Sequence, residues 1–192
     1  MIPKNPKRIV IDASVSYSAS DLKPDADLVV RLCCETLETI QKYNYQLVFT
    51  EEIIYEWNKH STKFSRRWLR NMLERKRVVK ISISEDKSIS QKVNLVVTDI
   101  GVRKLILKDC HLVDAALAAD RIVLSRDEQV KYHLCRYAEV ILEIQQICWM
   151  NPADPDEKVV AWIKSGAKHS DCRKLVPHDA GRKPRRRKPK DR

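Results

Sequence analysis

Four acidic residues, Asp12, Glu56, Asp109 and Asp127, lie far apart in the chain but share one kind of neighbourhood. Asp12 ends the apolar run Ile9-Val10-Ile11, and Asp127 stands two positions beyond Ser125, the end of Ile122-Val123-Leu124-Ser125. Glu56 falls in the second turn of a helix predicted to start directly after Leu47-Val48-Phe49. Asp109 is predicted to open a helix that runs back toward the Ile122 strand. If these strands are parallel, each following helix starts at a strand's C-terminal end, and the four carboxylates meet at that edge. Open α/β sheets build their sites there. Four carboxylates oppose one another's ionisation unless cations offset the charge. The cluster therefore points to divalent-metal chemistry.

The elements that must carry these residues follow from periodicity and caps. Arg8–Asp12 reads as a buried parallel strand, and Gln46–Phe49 as a second. A third is expected over Val78–Ile83, a fourth over Arg121–Ser125 and a short fifth over Ile147–Met150. Between them the pattern predicts helices: a short one from Ala13, and one capped by Asp25 or Asp27 that runs to about Tyr43. Thr50 caps the next, with Glu51 and Glu52 at its positive end, and another starts at Ser61 or Thr62. Asp99 is expected to cap a helix that stops at Leu107, before a new one opens at Lys108-Asp109. Asp127 begins a further helix to about Tyr137. Asp154-Pro155-Asp156-Glu157 is a strong helix start and Gly166 a stop. Alternating strands and helices predict a three-layer α/β/α fold with a central, mostly parallel sheet of four to five strands. The expected divisions are a domain over residues 1–150, a helical extension over 151–167, and a basic, disordered tail over 168–192.

Composition narrows the function. With three glycines in 192 residues there is no Gly-rich phosphate loop and no dinucleotide fingerprint. No serine sits in a nucleophile-elbow pattern. The longest apolar runs are far shorter than a membrane span, and no hydrophobic leader precedes the first strand, so a cytoplasmic protein is expected. None of the six cysteines forms a Cys-x-x-Cys pair. His169, Cys172 and His178 make an incomplete ligand set, so reduced, mostly buried cysteines are expected rather than zinc or a disulfide framework. The net charge of +11 is unevenly placed: residues 182–192 carry +7 and residues 59–80 carry +8, which leaves the rest at −4. An acidic site beside a basic helix and a basic tail suits a polyanion, and Lys63, Arg66, Arg67 and Arg70 are the candidate nucleic-acid contacts.

Three segments resemble the PIN-domain family of metal-dependent nucleases. The first strand with Asp12-Ala13-Ser14 is similar to the family's opening segment. Thr50-Glu51-Glu52-Ile53-Ile54-Tyr55-Glu56-Trp57 resembles its helix with the second acid. The stretch from Asp109 through Asp114-Ala115-Ala116 to Ser125-Arg126-Asp127 resembles its Asp, alanine-rich helix, strand, Ser/Thr-x-Asp block. The resemblance covers roughly residues 8–150. It implies that Asp12, Glu56, Asp109 and Asp127 hold one or two Mg²⁺ or Mn²⁺ ions and activate water against a phosphodiester. Ser14, Asp114 and Ser125 would support them. The implied activity is a single-strand-preferring endoribonuclease, as in the toxin of a toxin–antitoxin pair, and the implied partners are an RNA substrate, an antitoxin protein and a second copy in a homodimer. A PIN-like RNA-binding or scaffolding protein with little turnover is the alternative. An Asp12 phosphatase ranks lower, because that chemistry uses a second acid two residues on, where Ser14 stands.

Alone, each acid has an ordinary use. Asp12 can form a strand-end turn, Asp109 and Asp127 can cap helices, and Glu56 can sit on the surface. Asp99 and Asp120 read as helix-end residues, and His60 and His111 as structural histidines near the site.

Overall fold

Five short apolar runs become strands: β1 (Arg8–Ile11), β2 (Gln46–Phe49), β3 (Val78–Lys80), β4 (Ile122–Leu124) and β5 (Cys148–Met150). They come from a computed structural model that describes residues 6–84 and 88–177. Every paired neighbour is parallel, in the order β3-β2-β1-β4-β5. β4 and β5 are buried throughout, and β1 and β2 beyond their first residue. Burial on both faces explains why they read as continuous apolar runs without alternation.

The helices are α1 (Ala13–Ser18), α2 (Leu28–Lys42), α3 (Glu51–His60), α4 (Lys63–Glu74), α5 (Ile89–Val96), α6 (Ile100–Leu117), α7 (Glu128–Tyr137) and α8 (Val159–Lys164). Connections from β1 to β2 to β3 step one way across the sheet, and those from β3 to β4 to β5 step the other way. Right-handed crossovers then put their helices on opposite faces. The packing agrees: α2 lies against α4 and α8, whereas α6 lies against α5 and α7. This is the three-layer α/β/α arrangement expected. Side-chain caps hold most of the helix starts. Asp27 accepts from Val29, Thr50 from Ile53 and Asp99 from Val102, and Thr62 forms a reciprocal box with Ser65.

Several expectations need correction. The third strand stops at Lys80 because its sole partner, β2, ends at Phe49. Asp154 caps only a single 3-10 turn, Pro155–Glu157, and Lys158 then turns left-handed (φ 47°) before α8 begins. The cause is Glu157, whose buried side chain accepts from Lys131 Nζ (2.8 Å), Arg173 Nη1 (3.3 Å) and the Asn151 amide (2.7 Å). A buried carboxylate must be paired, and the turn aims it at those donors.

The expected tail does not start at residue 168. Residues 168–177 cover the outer edge of β5: the Trp149 amide donates to Arg173 (2.9 Å) and the Leu175 amide to Ile147 (3.2 Å). Leu175 is fully buried in the same core as Trp162 and Ile163. An uncovered edge strand leaves unpaired backbone groups, and this segment supplies partners. The basic run 182–192 and His178 lie outside the described residues. Cys148 and Cys172, expected to be reduced, are joined in a disulfide, while Cys33, Cys34, Cys110 and Cys135 take no part in it and are buried. The covering segment is what brings Cys172 to β5. Among the described residues, no helix is long and apolar enough to cross a membrane.

Candidate functional site

The strand order reverses between β1 and β4, and the crevice at their C-terminal ends is where an open parallel sheet places its ligands. Val10 pairs with Val123 and Ile11 with Leu124, so the residues just beyond them, Asp12 and Ser125, come level. The Asp12 amide continues the ladder to Leu124 O (2.9 Å), and its carboxylate caps α1. Oδ2 accepts from Ser14 Oγ (2.5 Å) and Ser125 Oγ (2.7 Å), and Oδ1 accepts from the Ser14 amide (3.2 Å). Both serines thus hold one carboxylate in a fixed orientation. Ser125 Oγ also accepts from the Asp127 amide (3.1 Å), which ties the first and last acids through one hydroxyl. Asp127 Oδ1 caps α7, accepting from Gln129 (3.0 Å) and Val130 (2.9 Å), and leaves the other oxygen free of that duty.

Glu56 reaches the site on α3. Trp57, fully buried beside it, donates Nε1–H to Ile11 O (2.8 Å), the carbonyl immediately before Asp12. That bond, with Phe49 and Trp68 packed on the indole, sets the height of α3 against β1.

Asp109 was expected at a helix start, but it sits in the middle of α6. Nothing between Leu107 and Asp109 breaks the helix, because that stretch has neither proline nor glycine. With 18 residues α6 is about 27 Å long. The strands, at three or four residues, span about 10–13 Å. The first half of α6 therefore overhangs the sheet edge, and its mid-point meets the strand ends. Asp109 is 5% exposed there. Burial, followed by the negative charge of Asp12, pushes its pKa up to about 7. Asp127 and Glu56 push the same way, while Lys108 opposes them. All four carboxylates therefore share one electrostatic environment.

Two further residues belong here: His111, which the sequence suggests as a structural histidine near the site, and Arg126, which it does not single out. His111, two residues beyond Asp109 on α6, has Nδ1 against Lys108 O (3.0 Å), so that nitrogen carries the proton. Its Nε2 is buried, lacks a hydrogen bond, and lies 3.4 Å from Glu56 Oε2. A lone pair facing a carboxylate oxygen calls for a proton or a cation between them. Arg126 donates its amide to Ser14 Oγ (3.1 Å) and its guanidinium to Ser18 Oγ, which puts a positive charge at the rim. Its position between Ser125 and Asp127 was the available signal.

Asp114 is turned away from the acids. It accepts from Ser88 Oγ (2.7 Å) and the Ile89 amide (2.8 Å), so it fastens the start of α5 to α6. With Thr50, Glu52, Ser88, Cys110 and His111 it lines a cleft of about 240 Å³ that shares His111 with the acid cluster. Asp120 binds the Arg8 amide (2.7 Å) and guanidinium (3.3 Å) at the other sheet edge. Lys63, Arg66, Arg67 and Arg70 are exposed on α4, whose inner face is Ser65, Trp68 and Met72. Thr62 Oγ1 donates to Ala19 O at the end of α1, so this basic face adjoins the site without entering it. Arg66 donates to Ser61 O (3.0 Å), and Arg67 pairs with Asp21 (2.8 Å).

The donors suit a hard divalent cation: oxygen ligands in excess of local positive charge, plus one bare imidazole nitrogen. Among the described residues, however, no three of the four acids bring ligand atoms within 4.8 Å of one another, and the group that does is Cys148, His169 and Cys172. No protein-family model, curated protein or solved structure matches the chain.

Proposed function

We propose that this chain is a Mg²⁺- or Mn²⁺-dependent endoribonuclease that hydrolyses phosphodiester bonds of single-stranded RNA. One observation carries the reading. Four carboxylates from four separate elements face one another at the sheet's switch point, where burial first and their mutual repulsion second push the Asp109 carboxyl up to about 7. Such repulsion destabilises a fold, and a cation relieves it. A divalent ion held there supplies Lewis acidity toward a phosphodiester and offsets charge on the leaving oxygen. The chain's residues do the rest. Ser14 and Ser125 keep the Asp12 carboxylate oriented, Trp57 holds α3 so that Glu56 faces α6, and Asp109 would hold the cation as a carboxylate. Arg126 and the basic face of α4 attract the phosphate backbone without reading bases.

Labelled single-stranded RNA, incubated with Mg²⁺ or Mn²⁺, tests this. Asp12→Asn, Asp109→Asn and Asp127→Asn should each fold and lose cleavage by several orders of magnitude. Near wild-type cleavage by all three variants would overturn the reading. A second reading, an RNA-binding or scaffolding protein without turnover, is favoured by the spacing of the acids, no three of which close to within 4.8 Å. Tight RNA binding with no metal-dependent cleavage selects it.

A further inference from the structure

At the opposite edge of the sheet, Cys148 begins β5, and the segment that covers this strand brings in His169 and Cys172. The two Sγ atoms and His169 Nδ1 all lie within 4.8 Å of one another. The cysteines are bonded as a disulfide, with Cα atoms 5.7 Å apart. His169 Nε2 lies 2.8 Å from Asp120 O. A carbonyl only accepts, so Nε2 carries the ring proton and Nδ1 is a bare lone pair. That lone pair faces Cys148 Sγ at 3.4 Å. A disulfide sulfur has no proton to offer it, so the oxidised arrangement leaves the imidazole without a donor on that side. A metal ion would satisfy it. Metal-bound histidines are commonly oriented by just such a bond from the remote nitrogen to a backbone carbonyl.

We propose that in the reduced chain Cys148, His169 and Cys172 form a zinc site that clamps the C-terminal segment onto β5, and that the disulfide is the two-electron-oxidised form, reached when a small-molecule disulfide takes the two electrons, leaves as two thiols and the zinc is released. Two thiolates and an imidazole are a soft set that selects Zn²⁺ over Mg²⁺ or Mn²⁺. His169 and Cys172 are separated by two residues, a short chelating spacing of the kind zinc sites use. Around a tetrahedral zinc, sulfur and nitrogen ligands lie about 3.5 Å apart, given bonds of about 2.3 and 2.0–2.1 Å. The sulfur–nitrogen separation here, 3.4 Å, already matches that figure. His169 and Cys172 are half-exposed, so water completes the fourth position. Disulfide and metal exclude each other, because both use the same two sulfurs.

The test uses the full chain, freed of metal by chelation, reduced with a phosphine, and kept in excess Mg²⁺ to occupy the carboxylates. Titration with Co²⁺ should give one equivalent of uptake, with a thiolate-to-cobalt charge-transfer band and intense tetrahedral d–d bands, and Zn²⁺ should displace it. Cys172→Ser, a substitution at a half-exposed position, should remove the charge-transfer band while the fold persists, and Cys148→Ser should do the same. His169→Ala should weaken Co²⁺ binding at least about tenfold. Cys33→Ser and Cys110→Ser should leave the spectrum unchanged, and oxidised protein should show no band. Absence of the band in reduced wild type, or its persistence in Cys172→Ser, overturns the proposal.

Discussion

Asp109 is the residue on which the site's electrostatics can be read. Its carboxyl titrates near 7 in the fold, because it is buried among like charges, against an ordinary value of 3.8. The folded state thus binds a proton that the unfolded chain has released across this interval. Stability contributed by the protonated form is therefore lost as pH rises from about 4 to about 7, and it changes no further above that. At roughly 1.4 kcal/mol per pH unit the effect is capped at about 4 kcal/mol, and solvent reaching the site lowers it. In chelator, wild type should be less stable toward urea at pH 8 than at pH 5. Asp109→Asn should flatten that difference and be the more stable protein at pH 8. Equal pH dependence in both proteins would show that Asp109 does not carry the strain. His111 has a different lesson. Its lone pair toward Glu56 depends on a tautomer set by Lys108 O, and such a detail emerges only once α3 and α6 are packed.

At the scale of elements, α3 and α4 do different work although they are adjacent. Trp57 and Trp68 each spend their indole N–H on a core carbonyl, Ile11 O and Leu37 O, which locks both helices inward. The outer face of α4 then shows Lys63, Arg66, Arg67 and Arg70 to solvent. Arg67 is engaged with Asp21, so Arg66 and Arg70 are the better test of a nucleic-acid role. Arg66→Glu with Arg70→Glu should weaken RNA binding and make its salt dependence shallower by about one to two in the log–log slope. Circular dichroism should be unchanged, since neither side chain packs in the core. An unaltered slope across a salt series would remove α4 from the RNA path.

Across the whole molecule, the segment that follows residue 168 belongs to the fold. Residues 173–175 pair with β5, and Leu175 completes a core that includes Trp162 and Ile163. Removing residues 178–192 should leave thermal stability close to that of the full chain. It should lower RNA affinity evenly across sequences, because the lost charges serve phosphates alone. Removing residues 168–192 should lower Tm by many degrees and expose the β5 edge to aggregation. Equal melting of the two truncated proteins would mean that the covering segment contributes little.

Asp12, Ser125 and Asp127 were legible in the sequence because each stands within three residues of a strand's end, and parallel strands finish at one edge. The alternation of strands and capped helices likewise depends on local periodicity, and it foretold the three layers. Asp109 in mid-helix, Glu157 in a buried ion pair and Cys148 beside Cys172 were not legible. Their places depend on how far α6 overhangs a short sheet, on which donors the core offers an acid, and on which segment covers an edge strand. Those are properties of contacts between residues remote in sequence. Local pattern names the elements and their ends, whereas tertiary packing alone decides which side chains meet.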